Sequence, residues 1–358
     1  MINLEVRGAP NYYVCEKGIL KRLPSLLASH GLKKPLLLTG RKSWDSAKAY
    51  FPTEVDFRQE IYRGECSPEE IERIGGLVQK GNHDAIIAIG GGKVLDLTKA
   101  SGDIASVPFL LIPTLAATCA AWTPLSVIYD NSGRFLHYTI FKGSALAVLV
   151  EPAIIAASPP AYLRAGIGDT LAKWYEADAL LKPVKNWSMP MQIAREAAFV
   201  CKTNLLSFGK QALEANEAGK VTPELVQVCE TNIMAGGMVG GFGDRFGRIA
   251  GAHSIHNALT HLSETHNVLH GDKVAYGILV QLLLEERIEE VLELLPFYKE
   301  IALPYSLKTL GVLDFEKAAK VIATNALAPG ESIHFMGIPL TEEKLAGSIL
   351  YLERLIKE

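Results

Sequence analysis

With 358 residues, 49% of them hydrophobic and 21% charged, the chain has the balance of a globular protein with enough material for two domains. Its 36 basic and 39 acidic residues leave a formal net charge of −3, which supplies no field for nucleic acid or an anionic membrane. No uncharged apolar run reaches the roughly 20 residues that cross a bilayer.

In chain order, the opening Met1-Ile2-Asn3-Leu4-Glu5-Val6-Arg7 has no long apolar core behind a basic start, so no secretory signal is expected. Up to about residue 160, short apolar runs alternate with amphipathic stretches. Leu36–Thr39, Ala85–Ile89 and Pro108–Ile112 read as buried parallel strands, each followed by Gly, Pro or polar residues. Pro68–Lys80 and Val94–Ala100 read as helices between them. This alternation predicts an α/β, Rossmann-like domain with ligands at the carboxyl ends of its strands.

The strand ending at Ile89 runs into Gly90-Gly91-Gly92-Lys93-Val94-Leu95-Asp96. Three glycines admit a pyrophosphate close to the backbone, and the helix that follows offers free N–H groups and a positive dipole end. Lys93 adds a point charge. The order of residues is neither G-x-G-x-x-G nor a kinase-type P-loop.

After Leu163 the period changes to that of helices: Thr170–Leu181, Met191–Leu206, Glu224–Gly236, His253–Leu262, Val274–Leu284 and Thr341–Ile356. Pro152, Pro159 and Pro160 punctuate the junction. The expected organisation is a nucleotide-binding α/β domain over 1–161 and an all-helical metal-binding and catalytic domain over 162–358. The absence of a linker predicts direct packing with a ligand cleft between the domains. Five scattered cysteines (Cys15, Cys66, Cys119, Cys201 and Cys229) suit reduced thiols in a cytoplasmic protein, not a disulfide framework or a thiolate zinc site.

Within the helical half, Asp169 alone reads as a helix cap before Thr170. His253 and His256 stand three apart on one helical face, and His270 sits in a turn ending at Gly271. One aspartate and two histidines can supply three metal ligands and leave a position open for substrate.

These motifs together resemble the glycerol dehydrogenase, iron-type alcohol dehydrogenase and dehydroquinate synthase superfamily. GGGK-x-x-D-x-x-K from Gly90 is similar to its cofactor loop. Pro113–Thr118 followed by Leu125–Tyr129 looks like its second nucleotide segment. Gly166–Asp169, Ala252–Asn257 and Leu269–Ala275 match its metal-ligand motifs, and Glu331–His334 matches a motif of the glycerol-dehydrogenase branch. The blocks Ala116–Val127, Gly166–Ala177 and Gly236–Phe246 resemble most closely the hydroxycarboxylate dehydrogenases of that branch, which reduce 2-oxo acids with NADPH.

The resemblance implies a dehydroquinate synthase-like, glycerol dehydrogenase-like fold. It also implies a metal held by Asp169, His253 and His270, and homo-oligomers. Cofactor contacts are implied at Gly90, Gly91, Gly92, Lys93, Asp96, Thr114, Thr118, Thr123, Leu125 and Tyr129. Iron-type relatives place a fourth ligand, a histidine, where this chain has Lys173, so a three-ligand zinc site is expected.

NAD-using members carry an acidic residue after the first strand. Here Gly40-Arg41-Lys42 stands in its place, and two cations suit a 2′-phosphate, so NADP(H) is expected ahead of NAD(H). Cys119 occupies the place of the Asp that holds polyol hydroxyls in glycerol dehydrogenases. Together with Lys173, Arg245 and Arg248, that exchange points to a small carboxylate substrate. The arginines are equally readable as partners of Asp244.

In the implied mechanism the metal polarises the carbonyl of a 2-oxo acid, hydride arrives from the nicotinamide, and His256 relays a proton. The rival readings are an NAD-dependent glycerol or polyol dehydrogenase, a lyase resembling dehydroquinate synthase, and a binding protein without catalysis.

Overall fold

The structure is a computed structural model, described over residues 4–356. Met1–Asn3 of the N-terminal stretch, and the last two positions of the expected second domain, lie outside the described residues. Among the described residues two compact units result, one formed by Arg7–Pro160 with Glu214–Gly237, the other by residues 4–6, Ala161–Leu213 and residues 238–356.

The first unit is built on a parallel sheet. Its strands are β1 (Tyr13–Cys15), β2 (Pro35–Thr39), β3 (Arg58–Ile61), β4 (Ala85–Gly90), β5 (Phe109–Pro113) and, after a hairpin, β8 (Ala147–Val150). They lie in the order β1-β8-β5-β4-β2-β3. The four inner strands are buried at every residue, as continuous apolar runs covered on both faces require. The edge strands β1 and β3 are not.

Because β2, β4 and β5 are parallel neighbours, their carboxyl ends emerge side by side: Thr39 is opposite Ile89, and Gly90 is opposite Pro113. Three segments read separately from the sequence, Gly40–Lys42, Gly90–Lys93 and Thr114–Thr118, therefore leave the same edge of the sheet. Leu125–Tyr129 (β6) pairs antiparallel with Phe135–Ile140 (β7) as a separate hairpin.

The segment Glu214–Gly237 follows the expected 161/162 junction in sequence but belongs to the α/β unit. Buried side-chain amides tie it there. Asn216 donates to the carbonyls of Ile155, Ala156 and Ser158, each at 3.0 Å, and Asn232 donates to the Ala116 carbonyl at 2.8 Å. The single helix read over Glu224–Gly236 is a helix, Pro223–Glu230, that widens into a π turn over Thr231–Ala235.

The second unit is helical. Two of its helices, Pro160–Leu181 and His270–Leu284, are buried on almost every face, which marks them as its centre. Asp169 lies in the interior of the first, so the helix-cap reading is corrected: Pro160 opens that helix well upstream. His270 is likewise not in a turn but is the first residue of its helix. Gly271, expected to end that turn, stands inside the helix and is there for a close helix crossing.

Candidate metal centre and cofactor loop

Backbone contact brings the three predicted ligands together. A Cβ on Gly168 would stand 2.6 Å from the Gly271 carbonyl oxygen, and one on Gly277 would stand 2.4 Å from that of Ala252. The candidate ligands Asp169, His270 and His253 are the chain neighbours of these residues, so glycine-permitted crossings set their spacing.

His253 Nε2 and His270 Nε2 each lie 3.3 Å from Asp169 Oδ1. That oxygen is buried and accepts no hydrogen bond. Ligand atoms arranged tetrahedrally at about 2.0–2.1 Å from an ion stand about 3.3–3.4 Å apart. An orphaned carboxylate oxygen, two imidazole nitrogens and this spacing fit a divalent cation of the zinc kind. All three donor atoms lie within 4.8 Å of one another, with Asp169 and His253 buried and His270 exposed.

Around them runs a second layer of which the sequence reading singled out only His256. Glu176, 1% exposed, accepts from Ala250 N at 2.7 Å, His253 N at 3.0 Å and His253 Nδ1 at 2.7 Å. Gln281 accepts from Ala252 N at 2.9 Å and donates to the Tyr175 carbonyl at 3.0 Å. The histidine helix Gly251–Leu259 has no cap of its own, and these two side chains from other helices satisfy its first N–H groups. The signal for Glu176 was present: Asp169, Lys173 and Glu176, spaced four and three apart, share one helix face.

His256 Nε2 meets His270 Nδ1 at 2.9 Å, and its Nδ1 meets Asn257 Oδ1 at 3.0 Å; Asn257 in turn donates to Glu331. Both nitrogens of His256 are thus engaged behind a ligand.

Charge at the site follows from this layout. Burial works to raise the Asp169 carboxyl, but Lys173 and the two histidines outweigh it and hold it well below the usual carboxylate range. Burial likewise opposes ionisation of Glu176, and His253 with Lys173 reverses the sign. For His253, burial lowers the ring's affinity for a proton, while Glu176 and Asp169 overcome it and raise the group to about 9. The buried carboxylates favour a cation there, and a metal ion bound to His253 would compete with that proton.

Lys173 donates to the Arg248 carbonyl at 3.3 Å. Arg248 is paired with Asp244 at 3.1 Å, whereas Arg245 is exposed with its guanidinium 4.9 Å from the Phe246 ring centre.

In the α/β unit, Gly91 precedes the helix Gly92–Ala105, and no side chain caps that helix. An uncapped N-terminus after a strand suits a phosphate. Lys93 is exposed and pairs with Glu65 at 2.5 Å. Asp96 is turned inward: it accepts from Val127 N at 3.1 Å and pairs with Lys99 at 2.8 Å. Lys99 donates to the carbonyls of Ala120, Thr123 and Leu125. This buried pair therefore pins the second nucleotide segment to the loop helix.

Thr114 is buried, with its N–H on the Gly90 carbonyl at 3.0 Å, while Thr118, Cys119, Thr123, Leu125 and Tyr129 are half-buried. Arg41 and Lys42 are exposed at the start of the helix Arg41–Ala47. All five cysteines carry free thiols.

A family model described as iron-containing alcohol dehydrogenase matches residues 10–152. Hydroxycarboxylate dehydrogenase A of Escherichia coli (strain K12) is 37% identical over 354 residues, 97% of each chain. The chain belongs to the iron-containing alcohol dehydrogenase family. Glycerol dehydrogenase of Pseudomonas putida is 38% identical to this family member over 299 residues, 82% of this chain and 81% of the relative. The crystal structure of a probable glycerol dehydrogenase from Sinorhizobium meliloti 1021 matches it with a TM-score of 0.88 at 30% identity, covering 99% of each chain.

The α/β first part and helical second part expected from the sequence are the fold of these structures. Membership in the iron-containing alcohol dehydrogenase family makes the protein an alcohol-type dehydrogenase, and points to a nicotinamide cofactor and a divalent metal. No described helix is long and apolar enough to cross a membrane.

Proposed function

We propose that the protein is a zinc-dependent NADP(H) oxidoreductase interconverting a small 2-oxo acid and its 2-hydroxy acid. The observation that carries the reading is the Asp169–His253–His270 cluster, with its donor atoms spaced as a tetrahedral ion requires. Such an ion supplies Lewis acidity toward a carbonyl oxygen. Lys173, with its cationic head, replaces a fourth ligand and favours the three-ligand form.

The chain's own residues divide the remaining work. N–H groups at the start of Gly92–Ala105 bind the pyrophosphate, and Arg41 and Lys42 take the 2′-phosphate at the carboxyl end of β2. The substrate carboxylate goes to Arg245, whose guanidinium has no carboxylate partner among the described residues. Cys119, in the place of a polyol-binding aspartate, leaves no anion there to repel it. In place of the expected proton relay, His256 receives an orienting part, because both of its nitrogens are engaged.

Likeness to a hydroxycarboxylate dehydrogenase across 97% of both chains supports this substrate class. One observation favours the rival polyol reading: Arg248 is engaged by Asp244, which removes one of the expected carboxylate clamps.

The deciding experiment is a matrix of 2-oxo acids and polyols against NADPH, NADP, NADH and NAD on zinc-defined protein. Reduction of a 2-oxo acid by NADPH should exceed every polyol reaction; faster glycerol oxidation with NAD would replace this reading with the rival.

A further inference from the structure

We infer that Glu176 fixes the ring tautomer of His253, and through it decides how tightly Asp169, His253 and His270 hold a divalent cation. The inference rests on the metal reading above. Two backbone N–H groups, Ala250 and His253, converge on Glu176 Oε1 at 2.7 and 3.0 Å, and His253 Nδ1 lies 2.7 Å from Oε2. An ionised carboxylate only accepts hydrogen bonds. The hydrogen on His253 Nδ1 is therefore the one the ring keeps, and its lone pair belongs on Nε2, the atom 3.3 Å from Asp169 Oδ1.

His270 reaches the same state by a different route. Its Nδ1 donates to His256 Nε2 when His256 carries its own hydrogen on Nδ1, which then donates to Asn257 Oδ1. That amide is oriented by Glu331, because Asn257 Nδ2 donates to the carboxylate. His270 is 44% exposed, so water can substitute for links in this chain. Glu176 is 1% exposed, and nothing replaces it. A buried carboxylate behind a ligating histidine sets the ring's orientation and raises its basicity. Glu176 is in this sense a positioning residue that touches the ligand and not the substrate.

The substitution Glu176→Gln separates this role from simple packing, because the amide has the same shape with one acceptor and one donor. If its oxygen stays under the two backbone N–H groups, its NH2 faces His253 Nδ1. That nitrogen must then accept, the ring hydrogen moves to Nε2, and the ligating lone pair is lost. The reversed amide leaves two buried N–H groups facing an NH2, which is the worse arrangement.

The test is zinc affinity of wild type and Glu176→Gln, measured by competition with a chromophoric chelator, with far-ultraviolet circular dichroism and NADPH fluorescence as folding controls. Zinc binding should be weakened roughly ten- to hundredfold while both controls stay at wild-type values. A variant that binds zinc within twofold of wild type overturns the inference and leaves the metal reading standing. Wild type that binds no zinc brings down both. Should the variant fail to fold, zinc-loaded wild type labelled with 15N-histidine decides: His253 must carry hydrogen on Nδ1 and metal on Nε2, and the reverse assignment overturns the inference.

Discussion

Gly271 presses its backbone against Ala165, since a Cβ at Gly271 would stand 1.8 Å from the Ala165 carbonyl oxygen. Backbone cannot yield as a flexible side chain does, so Gly271→Ala must push apart the helices Pro160–Leu181 and His270–Leu284. His270 and Asp169 ride on those helices next to the contact. The expected cost is about 1–3 kcal/mol of overpacking strain, together with weaker zinc binding. Denaturant unfolding and zinc titration check both, and a variant that keeps stability and affinity would contradict this account of the spacing.

The buried Asp96–Lys99 pair yields a second prediction, this one structural. Lys99, 1% exposed, satisfies three carbonyls of the segment that leads into β6. Removing one member of a buried pair costs about 3–5 kcal/mol, so Lys99→Met should lower the unfolding free energy by that order and weaken NADPH binding as the segment loosens. Asp96→Asn should cost less, because its amide oxygen still accepts from Val127 N. Equal effects of the two substitutions would refute the pinning role.

How far the sequence alone could go is clear from the site residues. Short apolar runs ending at glycine (β2, β4) or proline (β5) located these strands, and parallel pairing then set their loops side by side. Residue type and motif order located Asp169, His253 and His270. What periodicity could not show is which buried face meets which neighbour. Asp169 read as a cap and Gly271 as the end of a turn, since local propensity favours both, yet a helix crossing uses them in helical backbone. Gln281 gave no local signal, and Glu176 only its place on the helix face of Asp169 and Lys173, because both act across space on N–H groups of a helix remote in sequence. The return of Glu214–Gly237 to the α/β unit combines buried Leu225, Val228, Cys229 and Ile233 with the Asn216 and Asn232 amides, and a helix-period apolar face does not say which unit it packs against.

Zinc affinity should depend on pH in a defined direction. Glu176 and Asp169, against burial, raise His253 to about 9, so below that value zinc must displace a proton from Nε2. Asp169 stays ionised throughout, its carboxyl being held low. The apparent association constant should therefore climb about tenfold per pH unit between pH 7 and 8.5, and level off above 9. Affinity flat across that interval would mean that His253 is already neutral.

Cofactor choice provides a fourth test, confined to the α/β unit. The side chains of Arg41 and Lys42 make no hydrogen bond or ion pair among the described residues, so their charges are open to a 2′-phosphate. Charge-assisted contacts are worth about 1.5–3 kcal/mol. The double substitution Arg41→Ala, Lys42→Ala should raise the NADPH dissociation constant at least about tenfold and leave NADH unchanged. Parallel loss of both cofactors would show that the pair supports the loop and does not read the phosphate.

Substrate recognition separates the two arginines. Arg248 is held by Asp244 at 3.1 Å, so Arg248→Ala should act mainly on stability. Arg245 is exposed against Phe246, and Arg245→Ala should raise KM for a 2-oxo acid roughly tenfold with kcat nearly unchanged, the signature of lost uniform binding. Kinetics with an uncharged polyol should not respond to Arg245→Ala. If KM for the 2-oxo acid responds to Arg248→Ala and not to Arg245→Ala, the carboxylate clamp belongs to Arg248 and Asp244 is its counter-ion only in the absence of substrate. If neither variant moves KM while both keep kcat, the substrate is not bound through its charge, and the polyol reading gains the ground that the carboxylate reading loses.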